Sequence, residues 1–154
     1  MGKREMNQFD DLCAFKDWWL AVRPMNSPND GTTFVADTHG VVLFRQEPYQ
    51  VEMFLVKPDS EIPPHIHPNV DSFEVYISGD ITFMCNGEYF DQNIIGDTIR
   101  VLPNSWHGGT FGKSGGCFLS IQKWMNGVKP KFVGDDWQDK ENTSSYGENR
   151  SAVS

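Results

Sequence analysis

Between residues 32 and 125 the chain is a succession of short segments rich in Val, Ile and Phe, cut at close intervals by turn formers. Residues 32–36, 41–44, 51–56, 73–77, 81–85, 98–102 and 117–123 are predicted strands. Thr38-His39-Gly40, Pro58-Asp59, Ser78-Gly79-Asp80, Asn86-Gly87 and Gly108-Gly109 read as the turns between them. Asn86-Gly87 is the sharpest of these signals, because Asn and Gly tolerate the positive φ that a two-residue hairpin turn demands. Many short strands without an internal repeat predict an all-β sandwich or barrel.

The flanks differ. Residues 9–20 predict a short helix, with Leu12, Phe15, Trp19 and Val22 on one face. Pro24, Pro28 and Asn29-Asp30-Gly31 end it. The apolar stripe is expected to pack on the main domain or on a partner subunit. The expected organisation is an N-terminal helical segment over residues 1–30, a barrel over 31–126 and a C-terminal extension over 127–154. Phe132, Val133 and Trp137 are expected to anchor that extension, and the polar tail from about residue 140 is expected to be mobile.

Composition removes several function classes. A chain of 154 residues with 38% hydrophobic and 13% aromatic content can build a core without disulfide or metal. Its net charge of −8 argues against nucleic acid and anionic membrane surfaces as partners. No apolar run is long enough to span a bilayer, and the N-terminus lacks the apolar stretch of a secretory leader. Cys13, Cys85 and Cys117 are odd in number and widely spaced, so they are expected to be buried free thiols in a reducing compartment. A cytoplasmic location is the corresponding expectation.

The chemistry lies in the histidines. Pro63-Pro64-His65-Ile66-His67-Pro68 places two imidazoles two residues apart, hence on one face of an extended segment. Two neutral imidazoles so placed can share a cation. A third, His107, follows about forty residues later, at the end of a segment that opens with Gly96-Asp97 and turns at Pro103-Asn104. An antiparallel barrel brings such distant positions together. His39 reads as an exposed turn residue unrelated to this group. No G-x-S-x-G nucleophile, P-loop or Rossmann fingerprint competes.

These residues resemble the two motifs of the cupin superfamily, G-x5-H-x-H-x3–4-E-x6-G and G-x5-P-x-G-x2-H-x3-N. His65, His67 and Gly79 keep the spacing of the first motif, and Gly96 and His107 that of the second. Pro103 sits one place late, and Asn104 stands where the motif has Gly, a position that Asn tolerates. Asp59 replaces the opening Gly, Phe111 the final Asn, and Ser72 the carboxylate of the first motif. Glu74 shares the strand parity of Ser72 and is the expected replacement ligand, with Asp71 or a three-histidine site as the alternatives. The resemblance implies a double-stranded β-helix, or jelly-roll, barrel. It also implies one divalent first-row metal ion (Fe, Mn, Ni or Zn) held by His65, His67, Glu74 and His107.

Strand parity adds Tyr76, on the face of Glu74, as a hydrogen-bond donor or general acid beside Glu74. Ser120 and Gln122 alternate with Leu119 and Ile121 and are expected to face the pocket, with Trp106 packing at the barrel mouth. Arg45 and Arg100 qualify as substrate contacts only if they face inward. The activity implied by the resemblance is that of a metal-dependent small-molecule enzyme, a mononuclear non-haem oxygenase or a related lyase or isomerase. A non-catalytic binding module and a metal-free barrel are the alternatives. A homodimer is also implied, with Trp18, Trp19, Phe132 and Trp137 as interface anchors.

Overall fold

The computed structural model describes residues 11–22, 38–125 and 133–134. The predicted strand over 32–36, the anchors Phe132 and Trp137, and the polar tail lie outside them.

Helix α1 spans Leu12–Val22. The Asp11 side chain accepts a hydrogen bond from the Ala14 backbone N–H (3.0 Å), the geometry of an N-cap. Leu12, Phe15 and Trp19 are buried, as their spacing predicts. They pack with Val51, Leu55, Phe73, Val75, Leu119 and Ile121 in one apolar cluster. Trp19 is thus consumed in its own core, and Trp18 is partly buried against Phe44. Trp19 is therefore not available as the interface anchor expected of it.

The strands are β1 (Thr38–Gln46), β2 (Tyr49–Val56), β3 (Ser60–Ile66), β4 (Val70–Cys85), β5 (Glu88–Gln92), β6 (Thr98–Val101), β7 (His107–Trp124) and β8 (Val133–Gly134). All pairings are antiparallel. β1 and β2 form a hairpin, β2 pairs with β7, β7 also pairs with β3 and β4, β3 with β8, and β4 with β5 and β6.

Three predicted turns are strand instead. Thr38-His39-Gly40 lies in β1, with His39 opposite Leu55; the His39 side chain lies outside the described set. Ser78-Gly79-Asp80 is an irregularity inside β4, which joins two predicted strands into one that bends. Gly79 has φ +99°, and a Cβ there would run into the backbone of Gly115 and Gly116. Gly108-Gly109 lies inside β7, and a Cβ on Gly108 would meet the backbone of Ile62, Pro63 and Pro64. Glycine marks close backbone approach in a strand as readily as it marks a turn. Asn86 (φ 51°) and Gly87 (φ 86°) do form the predicted hairpin turn, between β4 and β5.

The inner face of β2, β7 and β4 is layered. Gln50, Gln122 and Ser72 stand side by side in one row across the three strands, and Glu52, Ser120 and Glu74 in the next. The third row is Phe54, Phe118 and Tyr76. The aromatic row joins Val56, Ile81, Phe83 and Phe111 in a second apolar cluster. All six polar side chains are buried. Of the cysteines, Cys117 is buried, whereas Cys13 and Cys85 are half-buried, and none of the three forms a disulfide among the described residues.

Candidate metal centre

His65 lies near the end of β3, His67 one residue beyond the strand, and His107 opens β7. His65 and His107 are direct partners across the β3–β7 pairing, so the barrel closes the separation that sequence leaves between them. The chain around them is tied down. Asn104 takes a left-handed conformation (φ 67°), as its place in the motif requires, and its N–H donates to the His67 carbonyl (3.1 Å). The Asn86 N–H donates to the Trp106 carbonyl (2.7 Å), and the Asn86 side chain accepts from the Trp106 N–H (3.0 Å). The hairpin turn thereby holds the residue next to His107.

One ligand atom from each histidine lies within 4.8 Å of the other two. Two of the rings are oriented by the backbone. His65 Nδ1 meets the Pro63 carbonyl at 2.7 Å, and His107 Nδ1 meets the Ser105 carbonyl at 2.8 Å. A carbonyl only accepts, so Nδ1 carries the proton in both, and Nε2 is left with its lone pair. Tying one ring nitrogen to a carbonyl is how proteins aim the other at a metal. The Nε2 atoms of His65 and His67 are 3.1 Å apart. Nitrogens at about 2.1 Å from a shared metal would lie ~3.0 Å apart at a right angle and ~3.4 Å apart at the tetrahedral angle. The observed separation lies between these two values, as a shared ion would require.

Electrostatics favour neutral imidazoles here. Burial, with repulsion from His107, lowers the His65 pKa to about 3, against a smaller opposing effect of the Pro63 carbonyl. Burial lowers that of His107 as well. Neutral imidazole is the metal-binding form. The donor set therefore fits a divalent first-row ion.

Glu74 does not belong to the group that gathers. Its Oε2 accepts from Ser72 Oγ (2.7 Å) and Ser120 Oγ (3.1 Å). Burial raises its pKa to about 7 despite those two bonds. Ser72, in the place of the family's carboxylate, thus serves as a donor to the carboxylate one step along the strand. Asp71 faces the other way and forms a two-point ion pair with Arg100 (3.0 and 2.8 Å). Arg100 also lies over the Phe73 ring, so neither of this pair serves the interior. The Tyr76 hydroxyl donates to the Gly79 carbonyl (2.8 Å), and its ring packs in the aromatic cluster. Packing with a satisfied hydroxyl accounts for Tyr76, and the acid or donor role expected of it finds no support in this placement.

Ser120 and Gln122 do face the interior. Gln122 Nε2 donates to Ser120 Oγ (3.1 Å), and Gln122 Oε1 accepts from Gln50 Nε2 (3.2 Å) and Trp124 Nε1 (2.9 Å). Arg45 reaches this chain from outside, donating through Nε to Gln50 Oε1 (2.6 Å) with its guanidinium over the Trp124 ring. Sequence reasoning missed Gln50 and Glu52, both fully buried. Their signal is the alternation of Gln50 and Glu52 with Val51 and Met53 on a strand otherwise apolar on both faces.

The sequence matches no family model and no curated protein. Solved structures do resemble it. KdgF from a Halomonas species superposes with a TM-score of 0.55 at 13% identity, over 61% of this chain and 86% of that one. An uncharacterized conserved protein with a double-stranded β-helix domain from Klebsiella pneumoniae gives 0.54 at 22% identity, over 71% and 89%. A recombinant oxalate oxidase in complex with glycolate gives 0.54 at 14% identity, over 71% and 61%. The chain has the double-stranded β-helix fold of the cupins. Its three convergent histidines form a group that could hold a metal ion. Among the described residues no helix is long and apolar enough to cross a membrane.

Proposed function

We propose that the protein is a metal-dependent small-molecule enzyme of the cupin type, first a mononuclear non-haem oxygenase and otherwise a lyase or isomerase. His65, His67 and His107 hold one divalent first-row ion, Fe, Mn, Ni or Zn. The observation that carries this reading is the convergence of three imidazoles, two of them, His65 and His107, with Nδ1 tied to carbonyls and kept neutral by burial. Buried histidines with no ligand to share are otherwise a cost, since each gives up hydration. Such an ion, when bound, supplies Lewis acidity or, as Fe(II), oxygen chemistry. The protein's part would be to hold the three imidazoles together, to exclude water with the aromatic row, and to present Glu74 to the substrate rather than to the metal. The likeness to an oxalate oxidase holding glycolate supports a small oxygenated substrate through the fold alone.

Elemental mass spectrometry on protein prepared without chelator or affinity tag tests the reading. About one first-row metal per chain is expected, lost in His107→Ala. Iron would direct the next assay to oxygen uptake, zinc or nickel to lyase and isomerase substrates. Metal-free protein that takes up none of Fe, Mn, Ni or Zn overturns it.

A further inference from the structure

The two polar rows of the inner wall are not explained by holding a metal. Six buried polar side chains in a barrel this small are expensive unless they bond to one another or to a ligand. Most of the bonding is internal and has a direction. Arg45 donates to Gln50, Gln50 to Gln122, Gln122 to Ser120, and Ser120 to Glu74. Ser72 donates to Glu74 from the other side. Both serine protons fall on Oε2, and none falls on Oε1, although Glu74 is only 8% exposed. The wall therefore ends in a carboxylate held at Oε2, whose Oε1 receives no donor among the described residues.

The histidine centre and this oxygen belong to one interior. Cys85 is the strand partner of His107 and shares its strand face with Phe83, and Phe83 and Phe111 pack with Tyr76 and Phe118, the inner-face neighbours of Glu74 and Ser120. Three neutral imidazoles bring no charge against a divalent ion, so that end attracts an anionic group. Once ionised, above about pH 7, Glu74 repels a second anion and accepts a hydroxyl proton. We propose that the wall is a subsite for the hydroxyl of a small hydroxylated carboxylic acid, with Glu74 Oε1 as the accepting atom. This rests on the metal reading above and adds the substrate class and its specificity residue. Ser72 and Ser120 are positioning residues, acting through Glu74.

The test uses full-length protein loaded with Co(II), whose visible absorption reports ligands reaching the metal. The probes are two pairs differing only in distal hydroxyls, lactate against glycerate and 2-hydroxybutanoate against threonate. Binding is followed by calorimetry and by the cobalt spectrum. At pH 8, where Glu74 is ionised, the hydroxylated acids should bind the wild type about tenfold more tightly, the magnitude of a hydrogen bond to a charged acceptor. The preference should fall in the isosteric Glu74→Gln and vanish in Glu74→Leu, with cobalt stoichiometry unchanged and the fold checked by circular dichroism. Absence of a preference in the wild type, or its survival in both variants, overturns the proposal while leaving the metal reading intact. Loss of cobalt from folded Glu74→Gln also overturns it, by making Glu74 a metal ligand. Failure of the wild type to bind cobalt, or equal binding by His107→Ala, is the separate failure of the metal reading.

Discussion

The two faces of β4 and β7 carry opposite chemistries on alternate residues. Outward, Phe73, Val75, Leu119 and Ile121 meet α1 in a dry cluster. Inward, Ser72, Glu74, Ser120 and Gln122 are just as inaccessible but hydrogen-bonded to one another. The outer face does what burial does best, removing apolar area from water. The inner face gives up part of that gain. Apolar side chains there would fill the barrel at less electrostatic cost, so the polar wall points to ligand binding. The difference separates residues that hold the fold from residues that serve the site.

That separation can be broken by mutation. The largest expected effect is Phe15→Ala, which removes a fully buried ring between α1 and the sheet. It should cost ~3–5 kcal/mol of unfolding free energy, read from denaturant midpoints, and leave metal per chain unchanged. Metal loss from a folded Phe15→Ala protein would show that the faces are coupled. Leu119→Ala should cost ~2–5 kcal/mol on the same face, again with metal retained.

The inner face predicts a pH dependence with two opposing windows. Glu74 has its pKa raised from 4.5 to about 7. Its contribution to stability is complete below pH 4.5 and is lost as pH rises through 7. His65 has its pKa lowered from 6.5 to about 3. Its contribution is present above pH 6.5 and is lost as pH falls toward 3. In chelator-treated protein the two oppose each other between pH 4.5 and 6.5. Glu74→Gln should therefore lose stability more steeply than wild type on acidification across that range, and should gain relative to wild type from pH 5 to pH 8. Parallel curves for the two proteins would contradict a buried Glu74 with a raised pKa.

The smallest effect is expected outside. Asp71→Asn breaks an ion pair whose Arg100 side chain is 42% exposed. It should cost at most ~1 kcal/mol and leave metal content unchanged, although Asp71 is only three residues from Glu74.

Much of this was legible in the sequence, for identifiable reasons. The helix stripe, the Asn86-Gly87 turn and the His65/His67 pair each rest on local periodicity or φ preference. His107 needed the family's spacing, because antiparallel pairing is not local. The turn assignments failed at Gly79 and Gly108, where glycine admits a neighbouring backbone. Glu74 was located on the right strand face, but its parity could not tell a metal contact from a carboxylate held by two serines. The Gln50–Gln122–Ser72 and Glu52–Ser120–Glu74 rows were hidden because register across three strands is set by the whole sheet.

The central claim is that three histidines, and no protein carboxylate, hold the metal. X-ray absorption at the edge of the bound metal counts imidazoles directly through their multiple scattering. The account predicts three imidazoles per metal in wild type, still three in Glu74→Gln, and two or no bound metal in His107→Ala. One imidazole or none in wild type, or a coordination sphere altered by Glu74→Gln, would contradict it.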